Sequence, residues 1–259
     1  MEVWEEKLIL CCEDSLDGIF SGVYEGWAGR YGHPRVELLL EEVHNMELFA
    51  RYIQVPTDPE RAGKVARTIR SRMGQKVFEE IGRAALSFEA DRGTAVYQLI
   101  AHALSMEQPG RVLEVLTDPW VIRVMYLARN VWNEAHHLLG FVRFEELQNR
   151  VLLSVIRPKN RVLPILAPHF ADRLPKENWM IYDRGRQEFA VHPAGRPWVL
   201  VRGETLDEDM RNQMSDQERE FRELWKGFLR NIMIEERKNE ELQVQMLPKR
   251  FQKYMTEFS

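Results

Sequence analysis

Cysteine is almost missing from this sequence. Its two copies, Cys11 and Cys12, are adjacent, a spacing that suits neither a structural disulfide nor a thiolate metal site. They read as reduced strand thiols, too few for an iron–sulfur cluster or a cysteine-rich zinc site, and no cofactor or metal is expected. Also missing is any apolar run near the roughly 18 residues of a membrane span, so a membrane partner is not expected. Residues 1–6 are acidic and run into Leu8-Ile9-Leu10 without the basic region of a signal peptide, so a cytoplasmic location is expected. No G-x-x-x-x-G-K-S/T, G-x-G-x-x-G after a strand, H-E-x-x-H or G-x-S-x-G motif is found, which removes support for the common ATPase, dehydrogenase, zinc-protease and serine-hydrolase readings. Net positive charge is missing too: the formal charge is -4. Any nucleic-acid binding must then come from a local patch.

What is present is enough apolar residue to build a core, 44% of 259 residues. Residues 3–12 read as a strand. Asp14 or Ser15 can cap a following helix whose Leu16, Ile19, Phe20, Val23 and Trp27 recur at spacings of three and four. Residues 36–43 read as a second strand. Residues 58–106, dense in Ala, Arg, Glu, Leu and Met, predict three or four packed helices. The turn Gln108-Pro109-Gly110 marks a lobe boundary, giving 1–110 and 111–259.

In the second lobe, Thr117-Asp118-Pro119 opens a long helix with the stripe Val121, Val124, Met125, Ala128, Trp132, Ala135 and Leu139. Residues 141–146 and 151–156 form a hairpin, 162–174 a helix, and 179–183, 187–192 and 198–202 three further strands. Ser215 and Glu218 make a capping box before a helix carrying Phe221, Leu224, Trp225, Phe228 and Ile232. The fold class is α+β: a helical N-terminal lobe after a strand–helix opening, and a C-terminal lobe with an antiparallel sheet packed on long helices.

Residues that could carry chemistry fall in this second lobe. Arg129, Asn133 and His136 share one helix face, His136 as a proton donor or phosphate contact; the structural alternative is a histidine near the helix C-terminus. His169 and Arg173, one turn apart, can grip a phosphate or carboxylate, or form an exposed pair without a role. The loop Arg157-Pro158-Lys159-Asn160-Arg161 and the tail with Lys249, Arg250, Lys253, Phe251 and Tyr254 mix cations with flat side chains, as single-strand binders do, or are solvated charge runs. His192-Pro193-Ala194 matches the His-Pro-small motif of uracil-DNA glycosylases, but their Gly-rich water-activating segment is absent, and the match reads as chance.

Four segments together resemble a bacterial family of DNA repair or DNA metabolism proteins of unknown function. They are Glu134-Ala-His-His-Leu-Leu-Gly-Phe-Val-Arg-Phe144, Leu163-Pro-Ile-Leu-Ala-Pro-His-Phe-Ala-Asp-Arg173, Trp179-Met-Ile-Tyr-Asp-Arg-Gly-Arg186, and residues 234–251 ending in Pro-Lys-Arg-Phe. The family domain is found fused to uracil-DNA-glycosylase-like domains or encoded beside a radical SAM protein. The resemblance therefore implies DNA repair or modification, DNA as a ligand, and a radical SAM partner. The sequence departs from the family pattern at His137, where Arg or Lys is favoured, and at Phe251-Gln252, where Tyr-Trp is. On this footing His136, His169 and Asp183 are the expected catalytic residues, and Arg143, Arg173, Arg186, Lys249 and Arg250 the expected phosphate contacts, around one cleft. The rivals are a hydrolase or metal-dependent enzyme using the same set, and a non-catalytic scaffold for the partner.

Overall fold

The computed structural model describes residues 7–40, 47–206, 215, 218, 224, 247 and 249–252. Contacts group the chain into two compact units, 1–132 and 133–259.

In the first unit, β1 (Lys7–Cys11) is the centre of a three-stranded parallel sheet in the order β2-β1-β3, with β2 at Val36–Leu39 and β3 at Ala50–Gln54. A central parallel strand is covered on both faces, which is why Leu8-Ile9-Leu10-Cys11 is an unbroken buried run. Helices α1 (Leu16–Ala28), α2 (Pro59–Arg72), α3 (Gln75–Ala85) and α4 (Arg92–Ser105) follow from the spacing of their apolar residues. On α2, Ala62, Val65 and Ile69 face the core, and on α3 Val77 and Ile81 do. Helix α1 approaches closely through glycine: a Cβ at Gly22 would lie 2.5 Å from Cys12 Sγ, and one at Gly26 would lie 2.6 Å from the Tyr97 ring. The strand–helix opening and the helical stretch are as expected, whereas β3 has no counterpart among the predicted strands. With Arg51 and Gln54 exposed, it is an edge strand without a continuous apolar signal.

Helix α5 (Pro119–Phe141) begins in this unit, and its residues from Asn133 onward belong to the second. Its buried stripe is Val121, Val124, Leu127, Ala128, Val131, Ala135 and Leu138. That corrects the predicted stripe, which had Met125, Trp132 and Leu139 in place of Leu127, Val131 and Leu138. The helix is apolar on more than one side, so periodicity alone left its rotation open.

The second unit holds a five-stranded sheet in sequence order: β4 (Glu145–Glu146), β5 (Leu152–Ile156), β6 (Trp179–Asp183), β7 (Glu188–His192) and β8 (Val199–Arg202). The expected hairpin β4–β5 and the antiparallel pairs β6–β7 and β7–β8 are present. The sheet is nevertheless mixed rather than antiparallel, because β5 and β6 run parallel. Helix α6 (Leu163–Arg173) lies between them, and a helical crossover returns the chain in the same direction. Leu163, Leu166, Ala167 and Phe170 of α6 share a core with Trp179, Ile181 and Ala190 of the sheet. The Glu218 N–H donates to Ser215 Oγ at 3.0 Å, one half of the expected capping box. Phe221, Trp225, Phe228 and Ile232 lie outside the described residues. Among the described residues, no helix is long and apolar enough to cross a membrane.

Candidate nucleic-acid interface

Because β5 and β6 are parallel, their C-terminal ends lie side by side, Ile156 opposite Asp183. Such strand ends are where open α/β sheets commonly bind ligands. The Arg184 N–H donates to the Ile156 carbonyl at 3.0 Å and ties the two exits together.

Asp183 is fully buried and organises the turn after β6. Its Oδ1 accepts from the N–H groups of Gly185 at 2.9 Å and Arg186 at 3.3 Å, while Oδ2 accepts from the Arg186 guanidinium at 3.1 Å. Burial pushes its carboxyl up in pKa, and the charge and hydrogen bonds of Arg186 and the Gly185 N–H oppose that only in part. Arg186 reaches on to the carbonyls of Pro158, at 3.4 Å, and Lys159. From the other side, Glu134, 4% exposed, accepts from Lys159 N–H at 3.0 Å and from Asn160 N–H and side-chain amide, each at 2.7 Å. The 157–161 loop is thus held through its carbonyls by an arginine and through its N–H groups by a carboxylate.

The side chains left at the surface here are cationic. Arg157 and Arg184 are exposed, and a Cβ on Gly185 would lie 3.8 Å from Arg157 Cγ. Arg143 and Arg157 line one small pocket together with Phe141, Val142, Ile156 and Phe251. Arg143 donates to the Gly140 carbonyl at 2.8 Å and so closes the end of α5. Phe251 is buried against Phe141 and His137, with ring centroids 5.9 and 6.4 Å away. It anchors the short helical turn Lys249–Gln252, and with it the exposed Lys249. The neighbouring acids point inward: besides Glu134 and Asp183, Glu188 is buried and accepts ion pairs from Arg161 at 3.6 Å and Arg202 at 3.3 Å.

Residues 90–257 match the family described as a domain of unknown function, DUF4130. The chain belongs to that family. The matched segment contains Arg143, Arg157, Arg184 and Lys249, whereas β1 through α3 precede it. No curated protein matches the chain. Among solved structures, it is similar to a DHH domain described as a member of the s1p family of ribosomal proteins, with 13% identity over 73% of this chain and 74% of that one and a TM-score of 0.34. It is also similar to RecJ in complex with Mn2+ from Thermus thermophilus, with 10% identity over 72% of this chain and 44% of RecJ and a TM-score of 0.27. Likeness at this level does not define a fold.

Of the residues singled out by sequence, Arg143 lines the pocket, Lys249 is exposed in the helical turn that Phe251 anchors, and Asp183 and Arg186 brace the adjoining loop. His136, His169 and Arg173 are exposed and do not line that pocket; the His169 ring meets Phe170 edge-on at 5.2 Å. Arg250 is described by its backbone alone, and Lys253 and Tyr254 lie outside the described residues. His192 is a packed core histidine, stacked on Trp179 at 5.0 Å with Nδ1 3.0 Å from the Glu177 carbonyl. Among the described residues, no three His, Cys, Asp or Glu side chains are placed to hold a metal ion. Sequence reasoning missed Glu134 as the holder of the loop and Arg184 as a surface cation. Glu134 stands in a segment that carries the family resemblance, and Arg184 in the Asp183-Arg184-Gly185-Arg186 run, but nothing local distinguishes a buried clamp from a solvated charge.

Proposed function

We propose that the protein binds DNA through the cationic rim at the ends of β5 and β6, and that it serves DNA repair or modification in the cytoplasm alongside a radical SAM protein. The carrying observation is the sorting of charge. Arg157, which lines a pocket with Arg143, and Arg184 face solvent, while Glu134, Asp183 and Glu188 are buried. A chain of net charge -4 then still offers phosphates a local positive surface. The loop needs little ordering on binding, since Arg186 and Glu134 already fix its backbone. The radical SAM partner rests on the family resemblance.

The test is binding of fluorescent duplex and single-stranded DNA across a salt series. For the duplex, Arg157→Ala/Arg184→Ala should weaken affinity and make the slope of log K against log salt shallower by about 2, one counterion for each phosphate no longer neutralised. Wild-type binding that the double variant leaves unchanged, or no binding at low salt, would overturn the reading.

A further inference from the structure

We infer that the first unit holds a binding pocket for a small amphipathic acid, an apolar body ending in a carboxylate, in the groove that α1, α2 and α4 enclose. The groove has a volume of about 330 Å³, within the range of small-ligand pockets. Its floor is sealed onto the core: Val23, Val65, Ile69 and Ile100 are each 9% exposed or less. Trp27, 42% exposed, and the half-buried Leu104 line the same space and leave apolar surface open to water. A ligand that covers such a concave surface gains by removing it from water. The walls are fixed before it arrives. His33 packs against the Trp27 ring with centroids 4.3 Å apart, and its Nδ1 lies 2.8 Å from the Tyr97 hydroxyl. Arg61 lies over the Tyr24 ring, 5.2 Å from its centroid, and is itself tied to Glu25 at 3.4 Å and Asp58 at 3.2 Å. A pocket braced in this way needs little ordering on binding.

Charge selects the ligand. Among the described residues the lining contains no Asp or Glu, and Lys64 is its one charged side chain. Lys64 shares an exposed i,i+4 pair with Glu60 at 2.8 Å, an arrangement worth little in water, and its ammonium has two further N–H donors to give. Arg72, one turn beyond Thr68 on α2, is exposed and has no acidic partner among the described residues. The Thr68 hydroxyl already donates to the Lys64 carbonyl at 2.9 Å, so polar recognition falls to the cations. A cation at the edge of an apolar groove favours a carboxylate carried on an apolar body over a neutral or cationic head group.

The experiment is calorimetric titration of the full chain with hexanoate, with octanoate, and with octyltrimethylammonium, which keeps the chain and inverts the charge, all below micelle-forming concentrations. Octanoate should bind saturably at one site, tighter than hexanoate by about fourfold for each added methylene. It should also bind about fivefold or more tighter than octyltrimethylammonium. Ala28→Trp, which fills the groove from an exposed position of its lining, should abolish binding while the thermal midpoint holds. Lys64→Glu should reverse the preference between the two head groups. No saturable binding of octanoate, as a groove that seats a segment of another protein would give, overturns the pocket, and so does binding that survives Ala28→Trp. Equal affinity for the two head groups overturns the acid as its ligand. Binding to phosphatidylglycerol vesicles with none to free octanoate overturns it in favour of a membrane surface. Arg157→Ala/Arg184→Ala should bind octanoate as the wild type does, so that a failure of the DNA reading leaves this site standing.

Discussion

Both units end parallel strands beside the start of a helix, yet the two ends carry opposite chemistry. After β1 and β3 the chain runs into Glu13, Asp14 and Asp58, and these groups are already engaged. Thr57 donates to Glu13 at 2.7 Å, and the buried Arg92 pairs with Asp14 at 2.7 Å. Ser15 caps α1 by accepting from Gly18 N–H at 2.9 Å, and Asp58 caps α2 by accepting from Glu60 N–H at 2.9 Å. An anion would find those helix N–H groups occupied and carboxylates around them. After β5 and β6 the order is reversed: arginines face out, acids face in, and the N-cap of α6, Val162, makes no side-chain cap. Topology offers the position in both units; the residues after the strands decide what it accepts.

The most severe way to break this difference is at Glu134. Glu134→Ala leaves two N–H groups and a buried amide of the 157–161 loop without their acceptor. The expected cost is about 3–5 kcal/mol, from lost hydrogen bonds to a charged group and orphaned donors. Urea unfolding should show the fall, and hydrogen exchange should show the Lys159 and Asn160 amides losing protection while those of Trp120, Val121 and Ile122 at the start of α5 keep theirs. Unchanged exchange in the loop would mean that Arg186 alone holds it.

A smaller pair of changes concerns the first unit, where one substitution at two helical glycines should act with opposite sign. Gly22→Ala pushes a methyl against Cys12 and Leu38, and overpacking of that kind costs about 1–3 kcal/mol. Gly82→Ala in α3 meets nothing within 4 Å and should stabilise by up to about 1 kcal/mol through helix propensity. Thermal denaturation that shifted both variants the same way would contradict the close seating of α1 on β1 and β2.

These residues also mark what a linear reading can reach. Helix α6 and strands β6 to β8 were legible because apolar period, proline and glycine turns agreed within each short segment. The α+β class followed from them. The parallel pairing of β5 with β6 depended on where a helix crosses, and β3 on a half-polar edge, neither of which local pattern fixes. At the site, Arg143 and Lys249 were visible as cations. Asp183 turns inward onto partners two and three residues on, but the loop that Arg186 braces lies 27 and 28 residues back, and Glu134 acts on residues 25 and 26 positions further along the chain. His192 looked like part of a motif and is a core ring because Trp179 stacks on it across the strand pair.

The finest contrast between the units is the pH response of two buried or half-buried aspartates. In the first, Asp118 caps α5, accepting from Trp120 N–H at 2.7 Å and Val121 N–H at 3.0 Å, with its other oxygen against His102 Nδ1. Burial pushes its carboxyl up, but the Val121 N–H, the His102 ring and the Trp120 N–H together outweigh that and hold it below its ordinary 3.8. A depressed folded value means that the stabilisation is present above about pH 4 and is lost as pH falls through the folded pKa. In the second unit Asp183 is raised, so the folded state binds its proton more tightly than the unfolded one. Its linkage contribution is present below about pH 4 and is lost as pH rises through the raised value. Asp118→Asn keeps a capping oxygen and removes the charge, for a loss of about 0.3–1 kcal/mol near neutral pH. Between about pH 3 and 6, the stability of wild type relative to Asp118→Asn should therefore grow with pH, while that relative to Asp183→Asn should shrink. Two curves of the same slope would show that the Asp183 carboxylate is held by Arg186 strongly enough to reverse the effect of its burial, making it an ion-pair anchor like Asp118.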